Sequence, residues 1–243
     1  MRIAFFSSML LASSLATAAT PIDGLYSSFF GGYTYIPDNL SKFQNGVKFT
    51  HGVYNNGFNA GGRLGYQANY WRYEAEITYM RTVVSAFRFA LPSLLPTVGE
   101  IRARDVNGQT NTVTGIANLY YDFPEMVPCI APFLGVGVGF GWFGIHFSND
   151  VVRNRNLLDN PNFVLNPTIF QNPFYRNLHY SNSSSAFVYQ GTAGFTYNFA
   201  ENYSLNLAYR YIGSTRIGAL GKVLQANLAS VGVVYRFNEY NYK

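Results

Sequence analysis

Cysteine is almost absent from this chain. Cys129 stands alone among 243 residues, so an internal disulfide and a cysteine-rich metal site are both excluded. Charge is scarce as well. Asp, Glu, Lys and Arg make up 12% of the residues, against about 25% in soluble domains, and an ordinary cytoplasmic enzyme needs a more charged surface than that. Outside the first 20 residues no apolar run is long enough for a membrane helix. The glycines keep no period of three, which excludes a collagen-like chain. The lysines and arginines are scattered, so the net charge of +5 reads as a surplus on loops and not as a nucleic-acid surface.

What the chain has in quantity is aromatic: 20 Tyr, 21 Phe and 2 Trp, beside 23 Gly. With 48% hydrophobic residues it is not intrinsically disordered. Its N-terminus reads as a secretory leader. Met1-Arg2 is a short positive start, residues 3–15 are largely apolar, and Ala16-Thr17-Ala18 fits the small-x-small rule for cleavage after Ala18, with Ala19 also compatible. The expected division is a signal peptide over 1–18 and one β-barrel domain over 19–243.

The strongest regularity is a period of two. Over 70–81, Trp71, Tyr73, Ala75, Ile77 and Tyr79 fall on one face and Arg72, Glu74, Glu76 and Thr78 on the other, the mark of a strand with one apolar and one polar side. Phe58, Ala60, Gly62, Leu64 and Tyr66 alternate likewise with Asn59, Gly61, Arg63 and Gly65. Only Gln67, Ala68 and Asn69 separate these two strands, so they form a tight hairpin. The pattern recurs over 113–122, 133–142, 187–197, 204–211 and 230–237, and less regularly over Gly24–Tyr35. Eight strands result. Their connections alternate between long (36–56, 83–110, 146–183) and short (67–69, 124–130, 200–202), with 213–222 of medium length. Long structureless loops argue against a compact soluble domain. They suit a barrel with all long loops at one end and all short turns, with both termini, at the other.

The two faces decide which way that barrel turns. The bulk lies on the apolar face: Trp71, Tyr73, Tyr79, Leu134, Phe140, Trp142, Phe195, Tyr209 and Tyr235. The other face is small or hydrogen-bonding, including glycines 135, 137, 139 and 141. An eight-stranded interior is only wide enough to be filled by side chains, so the aromatics point outward to lipid and the polar set inward. Closure would satisfy every strand edge, as lipid demands. The inward set carries Arg63, Arg72, Arg210, Arg236, Glu74, Glu76 and Asp122. Four positive and three negative groups are expected to pair through the lumen, because buried charges require compensation. Glu74 and Glu76 therefore read as ion-pair partners and not as catalytic carboxylates.

Five segments carry a resemblance: Arg72-Tyr73-Glu74-Ala75-Glu76; Ala117-Asn118-Leu119-Tyr120-Tyr121-Asp122-Phe123; residues 132–139; Tyr209-Arg210-Tyr211; and the last strand over 230–237. In this order they resemble the small outer-membrane β-barrel proteins of Gram-negative bacteria, the opacity-protein and surface-antigen group related to the OmpA membrane domain. The resemblance implies an all-β, eight-stranded antiparallel transmembrane barrel in the cell outer membrane, with long extracellular loops and no enzymatic activity or cofactor. It also implies outer-membrane lipid, lipopolysaccharide, periplasmic chaperones and the barrel-assembly machinery as partners. Gly232, Val233, Tyr235 and Phe237 look like the terminal signal read by that machinery, although Asn238 to Lys243 follow where family members usually end. Some members contact a host surface ligand through their loops. No peptidoglycan-binding domain is expected after Phe237.

The expected role is a structural or surface-exposed scaffold. The alternatives are a narrow porin-like channel and a secreted soluble barrel binding an apolar ligand. His51, His146 and His179 are expected in or beside long loops, without metal-ligand spacing. Glycines 135–141 lack the lysine and helix of a phosphate loop. Cys129 falls on a short turn. The 146–183 loop reads as an adhesive or antigenic surface, or simply as exposed variable chain. The apolar stretch 86–95 would pack on the barrel mouth or the lipid boundary.

Overall fold

A computed structural model describes residues 23–37, 41–44, 47–90, 101–103, 107–125, 127–150, 177–219 and 221–237. Among them every regular element is a strand: β1 (Gly24–Tyr35), β2 (Ser41–Gln44), β3 (Val47–Tyr54), β4 (Gly57–Ala68), β5 (Trp71–Ala90), β6 (Ile101–Ala103), β7 (Asn107–Asp122), β8 (Ile130–Asp150), β9 (Asn177–Asn198), β10 (Tyr203–Arg216) and β11 (Val223–Arg236).

Eight of them close a barrel. β1 pairs with β4 on one side and β11 on the other, and antiparallel ladders join β4 to β5, β5 to β7, β7 to β8, β8 to β9, β9 to β10 and β10 to β11. One level of this ladder runs from Leu25 through Tyr66, Tyr73, Leu119, Val136, Gly191, Tyr211 and Asn227 to Tyr35. The path returns ten residues farther along β1, from 25 to 35. Eight strands with that stagger tilt by about 40° and enclose a lumen that side chains can fill.

The short turns gather at one end, as the connection lengths predict. β4 and β5 meet at Asn69 and Tyr70, and Asn69 takes the left-handed conformation (φ 52°) that tight hairpins require. Its amide donates to Asp23, just ahead of β1. Phe237, just past β11, donates its amide to Leu25, and Arg236 donates its amide to Asn202 in the β9–β10 turn. Cys129 lies buried in the β7–β8 turn, also at positive φ (68°).

At the other end the strands run farther than the alternation suggests. β5 continues to Ala90, into the expected 83–110 loop. β8 and β9 stay paired up to Asp150 and Asn177, inside the expected 146–183 loop. β2, β3 and β6 are additional strands, and β3 and β6 flank the upper part of β5. His51, His146 and His179 thus lie on strands and not in loops. β11 begins at Val223, directly after the expected 213–222 connection, while β10 runs on to Arg216 inside it. The physical reason is common to all of these. Above the zone where one face is apolar, both faces are polar or both apolar, so the period of two fades while the hydrogen-bonded ladder persists. The leader (1–18), residues 91–95 of the apolar stretch and the loop centre 151–176 lie outside the described residues.

Candidate functional site

The lumen is lined by alternate residues of all eight staves, and six charged side chains inside it form one chain of alternating sign. Arg210 Nη1 donates to Glu76 Oε1 at 2.6 Å. Arg63 Nε donates to the other oxygen of Glu76 at 2.7 Å and lies 3.5 Å from Glu74 Oε2. Arg72 Nη1 reaches Glu74 Oε1 at 3.4 Å, and its Nε reaches Asp122 Oδ2 at 2.7 Å. Neutral groups complete the chain. Tyr26 donates its hydroxyl to Glu74 at 2.5 Å, and Thr78 donates to Glu76 at 2.7 Å. Arg210 Nη2 donates to Asn59 and to Ser230 at 3.0 and 2.9 Å. Charge-assisted bonds of this kind are short and strong, and the low-dielectric interior makes leaving one unpaired costly.

Aromatic faces support the guanidiniums. Arg63 and Arg210 lie 4.2 and 4.3 Å from the centre of the Phe30 ring, and Arg72 lies 4.6 Å from that of Phe133, within cation–π range. These rings lie across neighbouring strands, which explains the lumen glycines. A Cβ on Gly61 would run into Phe30, one on Gly65 into Tyr26 and one on Gly135 into Tyr120.

Two sequence expectations are corrected here. The four-to-three pairing is in fact three to three. Arg236 points into the lumen and is 5% exposed, but it donates to the amide oxygen of Asn198 at 3.1 Å, and among the described residues no carboxylate lies within ion-pair distance. Nor is the inner face polar throughout. Toward the long-loop end Met80, Val84, Phe143, Ile145, Val188, Ile212, Leu224 and Leu228 are buried inside the barrel. Ile217 and Ala219, from the β10–β11 connection, are buried as well, and Ala219 donates its amide to Ser184 at 3.0 Å. The lumen therefore has a charged tier beneath an apolar tier. Tyr26 and Phe30 were also missed as partners, although they share the even-numbered face of β1 with Ser28.

The outer face inverts this order. Trp71, Tyr73, Leu134, Phe140, Trp142, Phe195, Tyr209 and Tyr235 are exposed. Tyr79 is half-buried beside Phe58 and donates to Asn111 at 3.0 Å. At the short-turn end the aromatics touch in series: Trp71–Tyr121, Tyr121–Phe123, Tyr203–Tyr235 and Tyr235–Phe237 all have ring centres 5.1 Å apart. Toward the other end Tyr209 donates to the outward Asn227 at 2.6 Å. Of the terminal-strand residues, Val233, Tyr235 and Phe237 point outward while Gly232 faces the lumen. Among the described residues no cluster of His, Cys, Asp and Glu could hold a metal.

Comparison with known proteins agrees with this architecture. Neisserial surface protein A superposes with a TM-score of 0.51 at 15% identity, over 88% of this chain and 97% of that one. The attachment invasion locus protein Ail of Yersinia pestis gives 0.43 at 18% identity, over 89% and 100%. The N-terminal barrel domain of Pseudomonas aeruginosa OprF gives 0.41 at 13%, over 90% and 100%. No curated protein matches the chain by sequence. The profile of the outer membrane protein beta-barrel domain matches residues 4–237, nearly the whole chain, and the protein belongs to that outer-membrane family.

Proposed function

We propose that the barrel is a closed scaffold that holds surface loops in the outer membrane, and that it is neither a catalyst nor a channel. The observation that carries this reading is the double filling of the lumen. Arg210, at the end of the charge chain nearest the apolar tier, and Val188, Ile212 and Leu228, in the apolar tier, are all fully buried. An ion on the barrel axis would have to break the charge chain and then cross an apolar layer. Planar-bilayer recording of the refolded protein tests it: no stepwise conductance is expected, and reproducible channels in the wild type would favour the narrow porin instead.

In this reading residues 1–18 are the leader and 19–243 the barrel, and the chain falls in the opacity-protein and surface-antigen group. Trp71, Tyr73, Tyr79, Leu134, Phe140, Trp142, Phe195, Tyr209 and Tyr235 meet outer-membrane lipid and lipopolysaccharide. Gly232, Val233, Tyr235 and Phe237 address the chain to the assembly machinery, after escort by periplasmic chaperones. The tall β8–β9 hairpin would present the loop 151–176 to a host surface. Deleting that loop should lower binding of intact cells to host extracellular matrix while leaving the barrel folded. Unchanged binding would remove this loop from the role.

A further inference from the structure

The short-turn mouth of the barrel holds a cavity of about 300 Å³, lined by Arg72, Asp122, Phe123, Thr196, Asn198 and Arg236 among others. Its wall also carries Glu125, which is exposed at the rim, so the imbalance lies among the buried groups. The lumen buries four guanidiniums against three carboxylates, and the chain described above pairs three with three. The surplus positive charge is Arg236, whose one side-chain acceptor among the described residues is the Asn198 amide. Its Nε and Nη1 are buried without a hydrogen-bond partner among the described residues, and so are Arg72 Nη2 and the Thr196 hydroxyl in the same wall. The carboxylates that reach the cavity are already engaged: Asp122 by Arg72 at 2.7 Å, and Glu125 by the Cys129 amide at 3.2 Å. A buried guanidinium with one amide acceptor and no direct ion pair is costly. Its planar fork of donors matches an oxyanion.

We propose that this mouth is an oxyanion-binding site, in which Arg236, Arg72 and Thr196 hold one phosphate group. The site goes beyond the scaffold role and does not depend on it. The cavity opens among the touching aromatics of the short-turn end, where a phospholipid headgroup and free phosphate both have access.

The test is NMR titration of the refolded full chain in phosphate-free maltoside micelles, following the Arg236 Nε–H and the Thr196 amide. Inorganic phosphate should shift both signals saturably. Arg236→Gln should weaken binding by about tenfold or more, the equivalent of one charge-assisted hydrogen bond. Thr196→Val should weaken it less, and heat-modifiable gel mobility checks that each variant is folded. Dihexanoyl-phosphatidylglycerol separates the sources. If it competes with phosphate the headgroup is a ligand, and if it does not the ligand is free phosphate; either result supports the site. Absence of a saturable shift would mean that water alone satisfies these groups and would overturn the proposal. So would unchanged binding in Arg236→Gln, or binding that emerges only after removal of 238–243, which would assign the seat to the chain's own tail.

Discussion

Removing Glu76 should destabilise the barrel more than removing Arg210, although the two form one ion pair. Arg210→Met leaves three guanidiniums and three carboxylates in the lumen, so the remaining charges still balance. Glu76 then keeps Arg63 at 2.7 Å and Thr78 at 2.7 Å, while Ser230 still donates to Asn59 at 2.9 Å. Glu76→Gln leaves four guanidiniums against two carboxylates. It takes the charge from the acceptor shared by Arg63 and Arg210, and these two cations lie against the same Phe30 ring. Breaking a buried pair costs about 3–5 kcal/mol. Arg210→Met belongs near 3 and Glu76→Gln near 5, a gap of about 2 kcal/mol, or roughly thirtyfold in the folding equilibrium. Reversible urea unfolding in lipid vesicles measures it, with Trp71 and Trp142 on the outer face as fluorescent reporters. Equal losses, a larger loss for Arg210→Met, or both losses below about 1 kcal/mol, the range of exposed pairs, would refute the charge-chain reasoning.

Three further outcomes follow from the two faces. Gly135→Val pushes a side chain into the Tyr120 ring and should cost about 1–3 kcal/mol through overpacking; Gly191→Ala, where an added Cβ meets nothing within 4 Å, should stay within about 0.5 kcal/mol, both by urea unfolding. Val138→Arg on the exposed middle of β8 should cost about 2–4 kcal/mol in vesicles, while Ser183→Arg, exposed on the tall part of β9, should change stability little. Phe237→Ala should lower the amount of folded barrel in cells with little effect on refolding in vitro; equal losses in both would make Phe237 a packing residue and not an address.

Legibility of the fold in the sequence tracks the contrast between the two faces. Between Trp71 and Thr78 large apolar residues alternate strictly with charged or polar ones, and strand, facing and pairing all follow. From Thr82 onward Val83 is exposed and Val84 buried, so apolar residues stand on both faces and the alternation no longer marks the strand. Phe143 and Ile145, following Trp142 on β8, blur it in the same way. For that reason the apolar tier and the tall ends of β5, β8 and β9 were hidden, although the ladders continue through them. The charged tier was legible in membership, because seven ionisable side chains fall on the face of their strands opposite the large aromatics. Its pairing was not, because which guanidinium meets which carboxylate depends on the barrel's stagger. The stagger brings Arg210 on β10 to Glu76 on β5, across the lumen, and leaves Arg236 near the mouth with Asn198.

The claim on which everything else rests is that the barrel is inside out, with lipid as the solvent of its aromatic face. Nitroxide labels on the outward sites 134, 136, 138 and 140 of β8 and 181 and 183 of β9, which pair with His146 and Gly144, in a Cys129→Ser background in vesicles, test it by collision with oxygen and with a water-soluble nickel chelate. The β8 sites should be open to oxygen and shielded from nickel, and the β9 sites open to nickel. Nickel access along the whole of β8, or the same fold formed without lipid or detergent, would contradict it.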